Sequence, residues 1–460
     1  MFIGREKELE TLNEVYHKDG FNMLVVYGRR RVGKSYLLRQ FFLNIGKNII
    51  AFQAIDQSTT LSIEAFKDAI LDVYPSNFDI KLETWKDCFK YIYEHIGEDK
   101  VIICIDEINY IFKEDPTFAS QLQGIIEEYL QHKNIFLIVC GSNITSIENE
   151  ILNNNSPLYG RRNLSIKLHE FDYLTASEFY KNYSNEDKII AYSIFGGKGK
   201  SLSAIDSSKT IKDNIIKQIL TPGGTLADEI DLLLKDDFRD PTFYKELLYI
   251  MSLGNTTFND IATKSKEDAS KVATYLNKLI ELRIVEKVEI GDKKNNYRYY
   301  IEDNFFSFYF RFIYKRKNIL NLLVGPEAFY NRFINNDLSS YIGFKFENIC
   351  EQYIIRQSFN EKLDFIPTKY GKHYGKHRDG TTYDIDVFFK DEDNAICGEC
   401  KFTNKEFNMD DAKELINNSK EINVTNIHYY VFSKSGIQNN VKEKYPYFNI
   451  VTLDDLYKDS

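Results

Sequence analysis

NMLVVYGRRRVGKSYLLRQFFLNI, residues 22–45, indicates the fold class of the N-terminal half of the chain. Its first six residues form an apolar, β-branched run that predicts a buried strand, and its last ten predict an apolar-rich helix. Between them GRRRVGKS, residues 28–35, matches the pattern G-x4-G-K-[ST] of a phosphate-binding loop. A strand, a glycine-containing loop and a helix in this order predict an α/β domain with a nucleotide site.

The residue types of this loop suit the phosphate groups of ATP. Gly28 and Gly33 allow the backbone to curl so that its N–H groups face phosphate oxygens, and the positive end of the following helix points there too. Lys34 is expected to neutralise charge on the β- and γ-phosphates, and the Ser35 hydroxyl to ligate Mg²⁺. We therefore expect ATP and Mg²⁺ as ligands. The residues predicted to hold the nucleotide along the loop are Gly28, Arg29, Arg30, Arg31, Val32, Gly33, Lys34, Ser35 and Tyr36.

Two further apolar runs carry polar side chains at their carboxyl ends. VIICID ends in Asp106 and is followed by Glu107. Asp106 is predicted to hold Mg²⁺ through water as part of the nucleotide site, and Glu107 to polarise the attacking water. IFLIVC is followed by Gly141, Ser142 and Asn143, and either of the last two side chains could contact the γ-phosphate or the water. Spacing does not choose between them, and Asn143 is included in the predicted nucleotide site.

A basic pair in SPLYGRRN, Arg161 and Arg162, completes the predicted catalytic set of this half. Arginine stabilises the charge on a phosphoryl group during its transfer. The alternative is an ordinary pair of surface arginines.

The motifs of residues 1–235, in this order, resemble those of the bacterial and archaeal AAA-like ATPase family allied to the STAND and origin-recognition ATPases. FIGREKEL, GRRRVGKS, CIDEI, CGSN and PLYGRR match its opening motif, Walker A motif, Walker B motif, sensor strand and arginine-bearing segment. The resemblance implies that Phe2 to Arg5 lie near the base and that Arg161 or Arg162 is an arginine finger or sensor. The family's Gly-Gly-x-Pro lid motif reads GGKG at 196–199, without the proline.

Composition narrows the class of protein. A hydrophobic content of 43% is enough for ordinary cores, and a net charge of −9 means that any nucleic-acid contact must use local basic patches. The six cysteines show no disulfide framework, and no apolar run reaches the roughly 18 residues of a membrane span. The start of the sequence has no apolar signal-peptide region. We therefore expect a cytoplasmic protein without a membrane partner.

Residues 236–320 predict helices near 243–253, 257–264 and 268–282, followed by a hairpin, which is the order of a winged helix. Basic side chains on its third helix and wing could contact DNA phosphates, although acidic neighbours dilute their charge. Docking of a protein partner, or a spacer role, is the alternative. The basic residues are Lys271, Lys278, Arg283, Lys293, Lys294 and Arg298.

Carboxylates distinguish the C-terminal part, residues 321–460. Because strand side chains alternate, Glu399 and Lys401 share a face of AICGECKF (395–402), and Asp386 of the acidic strand YDIDVFF (383–389) can converge with them. Two carboxylates can hold a metal ion, and a lysine can ready a water for phosphodiester attack. Glu347, on the preceding helix, could complete the metal shell. The predicted metal ligands of the whole chain are Ser35, Asp106, Glu347, Asp386 and Glu399, and the predicted catalytic residues are Glu107, Arg161, Arg162, Asp386, Glu399 and Lys401.

This constellation resembles the PD-(D/E)XK nuclease superfamily, in the form of the domain of unknown function that follows this ATPase class. The resemblance makes Asp386 the motif aspartate, Glu399-Cys400-Lys401 the (D/E)-x-K tripeptide and Glu347 the helix acid. Solvated strand charges are the alternative.

Two neighbouring sequence features bear on the chemistry of this region. KYGKHYGKHRDG, residues 369–380, predicts a basic loop where a nucleic-acid backbone would approach. Cys397 and Cys400 fall on opposite faces of a strand, which argues against a zinc site shared with the upstream histidines.

The expected fold class is α/β: a P-loop ATPase domain with a helical lid, a winged helix and a C-terminal α/β nuclease-like domain. The expected bounds are 1–168, 169–235, 236–320 and 321–460. The first functional hypothesis is a Mg²⁺-dependent ATPase, able to form homo-oligomers, coupled to a DNA-binding or DNA-cleaving C-terminal region. The second is a nucleotide-gated interaction or regulatory protein whose C-terminal acids are not catalytic.

Overall fold

The computed structural model describes residues 2–290, 296–322, 324–377 and 379–458. The chain divides into two compact units, Met1–Glu170 and Phe171–Ser460. Lys293 and Lys294 of the predicted wing, and Arg378 of the predicted basic loop, lie outside the described residues. The subdivision of the second unit into lid, winged helix and C-terminal domain stays a prediction.

The first unit is built on a parallel sheet of five strands in its described residues, in the order β2-β3-β4-β1-β5. The strands are β1 (Asn22–Tyr27), β2 (Ile49–Gln53), β3 (Val101–Asp106), β4 (Ile135–Gly141) and β5 (Leu164–Lys167). The helices are α1 (Glu6–Tyr16), α2 (Lys34–Ile45), α3 (Thr59–Leu71), α4 (Trp85–His95), α5 (Asn109–Glu114), α6 (Phe118–Glu128) and α7 (Ile144–Ile147).

Burial explains why these runs are strands of a parallel sheet. Every residue of β1 and β4 is buried, as expected when apolar side chains are covered on both faces of a sheet. Alternate strand residues enter two separate apolar clusters, one with Val25 and Ile103, the other with Leu24 and Ile102. Since β1, β3 and β4 are parallel, their carboxyl ends meet along one edge of the sheet, and the polar residues that follow them meet there too.

The second unit begins with helices and a hairpin. Three helices, α13 to α15, precede the antiparallel pair β6–β7, and α16 follows with most of its side chains buried. The helices and strands of this part of the unit are α8 (Tyr173–Ser177), α9 (Asn185–Phe195), α10 (Gly199–Ser203), α11 (Ile211–Asn214), α12 (Glu229–Asp237), α13 (Thr242–Ser252), α14 (Phe258–Ser265), α15 (Ala269–Glu281), β6 (Val285–Glu289), β7 (Tyr297–Ile301), α16 (Asn304–Phe312), α17 (Lys317–Leu322) and α18 (Pro326–Phe333).

The unit ends in a mixed sheet of order β12-β11-β10-β9-β8, with β10, β11 and β12 parallel and β8 and β9 antiparallel. One face, which carries Phe389 and Ile396, packs in the same cluster as Ile349 of α19. The other face, with Cys397, packs with Leu415 of α20. The elements are α19 (Asn335–Phe359), β8 (Lys369–Lys376), β9 (Thr382–Lys390), β10 (Asn394–Lys401), α20 (Met409–Ser419), β11 (Asn426–Ser433), α21 (Asn439–Lys444) and β12 (Asn449–Thr452).

The predicted basic loop at 369–380 is wrong for most of its length, because Lys369–Lys376 forms strand β8. It pairs with β9, with an irregularity in register between Gly371 and His373. Glycine is depleted in strands, but here the irregular register and the positive φ of Gly371 (133°) use its conformational freedom. The strand buries Lys372 and His373, side chains that a solvated loop would expose.

Candidate functional site

The loop at 28–35 has the close backbone packing that its glycines predict. Gly28 has a φ of 154°, and a Cβ added there would lie 2.3 Å from the carbonyl oxygen of Leu168. Gly33, with a φ of 102°, precedes α2, and no side chain caps the first turn of that helix. Lys34 is buried, and its Nζ donates to the carbonyl oxygens of Gly28 at 3.0 Å and Arg29 at 3.1 Å. The loop therefore curls around the lysine and directs the start of α2 at the carboxyl edge of the sheet.

The first turn of α2 meets the end of β3 through one hydrogen bond. Ser35 Oγ donates to Asp106 Oδ2 at 2.9 Å. A hydroxyl and a carboxylate are hard oxygen donors, the kind that Mg²⁺ prefers. These two residues therefore fit a magnesium ion, which supplies charge neutralisation on the phosphate oxygens of a bound nucleotide.

Glu107 and Ser142 form a second link, between the ends of β3 and β4. Glu107 Oε2 accepts from Ser142 Oγ at 2.6 Å and from the Ser142 backbone N–H at 3.2 Å. The same N–H lies 3.2 Å from Asn109 Oδ1. Asn143 has a different role, since its Oδ1 accepts from the Ser146 N–H and caps α7. The contact with the acidic residue thus falls on Ser142, an alternative that spacing alone left open.

The opening motif is attached to the loop by Arg5. Its guanidinium is buried and donates to the carbonyl oxygens of Val32, at 3.1 Å, and His169. Burial lowers the Arg5 pKa from its usual value. Phe2 stacks on the half-exposed ring of Tyr36, with 5.9 Å between ring centroids. These contacts keep Phe2 and Arg5 beside the P-loop.

The arginines of the P-loop point to different partners. Arg29 forms an ion pair with Glu170 at 3.4 Å, and Arg30 donates to the Tyr110 hydroxyl at 3.0 Å. Arg31 has a positive φ of 70°. The side chains of Arg29 and Arg30 thus make contacts within the protein, and the nucleotide contacts expected at Arg29, Arg30 and Arg31 stay a prediction.

Arg161 and Arg162 lie on the turn before β5. Arg161 forms an ion pair with Glu127 of α6, and the Arg162 guanidinium stands over the Tyr159 ring at 5.8 Å. Both side chains are partly exposed. A catalytic role for either stays a prediction.

The predicted C-terminal residues come together at β9, β10 and α19. Asp386 Oδ2 accepts the Cys400 N–H at 2.9 Å, which ties the two strands. Lys401 Nζ lies 2.8 Å from Glu399 Oε1 and 3.4 Å from Asp411 Oδ1 of α20. Glu347 of α19 is paired with Lys372 of β8. The structure therefore adds Lys372 and Asp411, which sequence reasoning did not assign to the site.

The carboxyl groups of this cluster influence one another. Burial raises the pKa of Glu347, of Asp386 and of Glu399, and the charge of Asp386 raises the pKa of the other two further. Lys372 opposes this shift at Glu347, and Lys401 opposes it at Glu399. The same carboxylates raise the pKa of each lysine. The cluster is thus a set of lysine–carboxylate pairs in a poorly solvated place.

The metal ligands predicted for this cluster do not form a ready site. Among the residues described, no group of three or more His, Cys, Asp or Glu side chains is arranged to hold a metal ion. Lys372 and Lys401 form ion pairs with two of the predicted ligands, Glu347 and Glu399. Cys397 and Cys400 pack on opposite faces of the sheet, the second against Cys350, so they cannot ligate one ion together.

Comparison with known families matches two separate stretches of the chain. Residues 2–205 match an ATPase domain predominantly from Archaea, and residues 309–415 match archaeal and bacterial proteins of unknown function. The chain is 30% identical over 419 residues to an uncharacterized protein of Methanocaldococcus jannaschii, covering 90% of both chains. It is 22% identical over 316 residues to an uncharacterized ATP-binding protein of that organism, covering 59% of this chain and 84% of the relative.

Two solved structures show partial likeness. The Walker-type ATPase of Pyrococcus abyssi has a TM-score of 0.48 and 22% identity, covering 67% of this chain and 96% of its own. The ORC2 protein of Aeropyrum pernix has a TM-score of 0.47 and 11% identity, covering 69% and 94%.

The parallel sheet, with a glycine-containing loop between β1 and α2 and an acidic pair after β3, defines the class of P-loop ATPase domains. More particularly, the chain belongs to the family represented by the Methanocaldococcus jannaschii relative that matches it over 90% of its length, with this ATPase domain before a C-terminal domain of unknown function. Within the described residues, no helix is long and apolar enough to cross a membrane.

Proposed function

We propose that the first unit binds ATP with Mg²⁺ and hydrolyses it to ADP and phosphate. The observation that carries this is a pair of links across the carboxyl edge of one sheet: Ser35 to Asp106, and Ser142 to Glu107. They bring two hydroxyl groups and two carboxylates together on neighbouring elements, and this arrangement supports a site for phosphoryl transfer. The match to an ATPase domain and the ATP-binding relative support it.

Each residue has a defined part in the reaction. Lys34 and the backbone of the loop hold the β- and γ-phosphates, and Ser35 and Asp106 provide the oxygens for the metal ion. Glu107 accepts a proton from the water whose oxygen bonds to the γ-phosphorus while the bond to the ADP oxygen breaks. Ser142, by donating to Glu107, orients that carboxylate.

Replacement of Glu107 tests the proposal. Glu107→Gln keeps the shape of the side chain but removes the base, so ATP should still bind while steady-state hydrolysis falls by about 10²–10⁴. Glu98 is exposed and lies in the connection before β3, so Glu98→Gln is the matched control and should leave turnover unchanged. Wild-type turnover in Glu107→Gln would show that another group is the base.

A metal-dependent phosphodiesterase at Asp386, Glu399 and Lys401 is a second candidate function. Support comes from the way these residues and Glu347 gather at one end of β9 and β10, with carboxyl pKa values raised by burial and by one another. Glu347, Asp386 and Glu399 supply metal ligands once Lys372 and Lys401 move off the acids. Lys401 then readies the water for attack on the phosphodiester.

Cleavage of nucleic acid separates this candidate from a structural cluster. We expect nicking of plasmid DNA with Mg²⁺ or Mn²⁺, lost in Glu399→Ala and Lys401→Ala, with metal binding retained in Lys401→Ala. In a structural cluster Lys401→Ala leaves acids unpaired and lowers the thermal midpoint instead. Absence of both metal binding and cleavage in the wild type would leave a nucleotide-gated interaction protein as the function of the whole chain.

DNA as a partner depends on the helices α13 to α15 and the hairpin acting as a winged helix. The order of elements supports this fold, but the charges are balanced locally. Lys271 pairs with Glu267 at 3.0 Å and Lys278 with Glu281 at 2.9 Å. We therefore expect DNA binding here to be weak.

A further inference from the structure

A polar cavity lies within the second unit, among the β6–β7 hairpin, α16, α19 and β8. Its volume is about 1060 Å³, at the upper end of the roughly 300–1,000 Å³ usual for ligand sites. Among described residues, six basic and four acidic side chains line it, in a chain whose net charge is −9. The local excess of positive charge favours an anionic ligand.

Lys345 of α19 is the strongest indication of a ligand. It is 2% exposed and lines the cavity. Within the described part of the chain its ammonium group makes neither a hydrogen bond nor an ion pair, and the rings of Tyr341 and Phe344 have their centroids 6.0 Å away. A buried ammonium group that loses its hydration and gains no hydrogen bond destabilises a fold, even with the charges of Glu286 and Asp303 acting on it, so packing alone does not account for a lysine at this position.

Two carboxyl groups face the same space. Glu286 of β6 and Glu351 of α19 line the cavity, and neither has a hydrogen bond or an ion pair among the residues described. Burial raises the pKa of each to about 7. They offer hydrogen-bond acceptors, whereas the rings of Tyr300 and Phe344 in the lining offer flat apolar faces.

We propose that this cavity binds a nucleoside phosphate, either a free nucleotide or the end of a nucleic-acid strand. Lys345 and Arg311 meet the phosphate, Tyr300 stacks on the base, and Glu286 accepts hydrogen bonds from amino or hydroxyl groups. A simple inorganic anion would leave the carboxyl groups and rings unused, and an apolar ligand would leave the charges unpaired. The lining contains no residue of the P-loop and none of Asp386, Glu399 and Lys401, and it meets that carboxylate cluster at Lys372, the ion-pair partner of Glu347.

Direct binding to the full chain tests the proposal. The Lys34→Ala background removes the P-loop as a competing site, and the two probes are AMP and a 5′-phosphorylated single-stranded hexanucleotide, measured by calorimetry. Lys345→Met keeps the length of the side chain without its charge. We expect at least one probe to bind, and its dissociation constant to rise tenfold or more in Lys345→Met, with the thermal midpoint unchanged or higher. Lys405→Met, an exposed lysine, is the control.

The two probes separate the two sources. AMP binding alone indicates a free nucleotide, and binding of the hexanucleotide alone indicates a strand end. Glu286→Gln is the second variant, used if Lys345→Met does not fold, and it should also weaken binding. The proposal is overturned if neither probe binds, or if affinity is the same in every folded variant of Lys345 and Glu286.

Discussion

Ser142 joins two sequence motifs through a single hydroxyl. It follows β4, which lies beside β3 in the sheet, and its 2.6 Å hydrogen bond to Glu107 fixes the direction of that carboxylate. Asn143, one position further, uses its side chain to cap α7. Two adjacent polar residues therefore have separate duties in the structure: Ser142 holds Glu107, and Asn143 caps α7.

Paired substitutions distinguish these duties. Ser142→Ala removes a hydrogen bond to a charged group, worth about 1.5–3 kcal/mol, so the rate of ATP hydrolysis should fall roughly 10–100-fold with ATP affinity retained. Asn143→Ala should cost about 1 kcal/mol of stability through the lost cap and leave turnover intact. Steady-state kinetics and thermal melts measure both effects. If Asn143→Ala lowered turnover and Ser142→Ala did not, Asn143 would be the residue that contacts the γ-phosphate or the water.

Glu286 should make the stability of the protein depend on pH. Burial, followed by the charge of Glu351, raises its pKa from 4.5 to about 7, while Lys345 and Lys372 oppose the shift. The folded protein then holds a proton that the unfolded chain releases, so stability falls as pH rises from about 4.5 to about 7. Glu286→Gln mimics the neutral form.

The variant should therefore be no more stable than wild type at pH 4.5 and more stable above pH 7. Thermal midpoints of both proteins across this range measure the difference. A constant difference between pH 4.5 and 8 would contradict the raised pKa of Glu286.

Elements differ in how far sequence alone predicts them. The strands and loops of the first unit follow from apolar runs that end in Gly28, Asp106 or Gly141, because a buried parallel strand has no polar face to confuse the pattern. The sequence predicts a loop where strand β8 lies, because the glycines and lysines of this segment are typical of turns. The strand pairs with β9, and its Lys372 is buried where it meets Glu347 of α19. A local sequence pattern does not show such a contact with a separate helix.

The GGKG segment is a second element whose role needed the structure. A Cβ at Gly197 would lie 2.0 Å from the Phe171 carbonyl oxygen, and Lys198 forms a buried ion pair with Asp303. The segment is thus held by close packing and a buried ion pair within the second unit, and its role as a lid motif stays a prediction. In the C-terminal cluster, alternation placed Glu399 beside Lys401 correctly, but Lys372 and Asp411 come from elements whose positions no local pattern specifies.

Two glycine substitutions test the packing of the P-loop. Gly28→Ala forces a Cβ against the Leu168 carbonyl, in a backbone conformation that alanine disfavours. It should lower the free energy of unfolding by about 1–3 kcal/mol, and nucleotide binding should be lost. Gly124→Ala lies on the exposed face of α6 with nothing within 4 Å, and should stabilise by about 0.5–1 kcal/mol. Urea melts measure both, and a neutral Gly28→Ala would refute the close approach.

At the scale of the whole molecule, the chain joins an ATPase domain to a second unit with its own polar sites. The family relative that matches 90% of both chains shows that the two parts occur together in another protein. Whether the ATPase works as a single subunit depends on the arginines before β5. Both are partly exposed, and a neighbouring subunit could take either into its own site.

Turnover per subunit should rise with protein concentration if Arg161 or Arg162 acts on a neighbouring subunit. An arginine finger is worth about 10³–10⁵ in rate, so dilute monomers should be slow. Replacement of the finger by alanine should remove the concentration dependence, and replacement of the other arginine should leave it. A constant specific activity from a monomer at every concentration would rule out action between subunits.

The P-loop as the nucleotide site is tested by measuring the thermal midpoint of the full chain against MgATP concentration, for wild type and Lys34→Ala. A ligand that binds only the folded state stabilises it by RT ln(1 + [L]/Kd), about 2.7 kcal/mol at a hundredfold excess over Kd. Because Lys34 is buried and its removal changes the packing of the loop, the quantity compared is the ATP-dependent increase of the midpoint and not its starting value. We expect the midpoint of the wild type to climb with ATP concentration and that of Lys34→Ala to stay flat. A wild-type midpoint that does not change with ATP concentration, or an equal increase of the midpoint in both proteins, would contradict the P-loop as the nucleotide site.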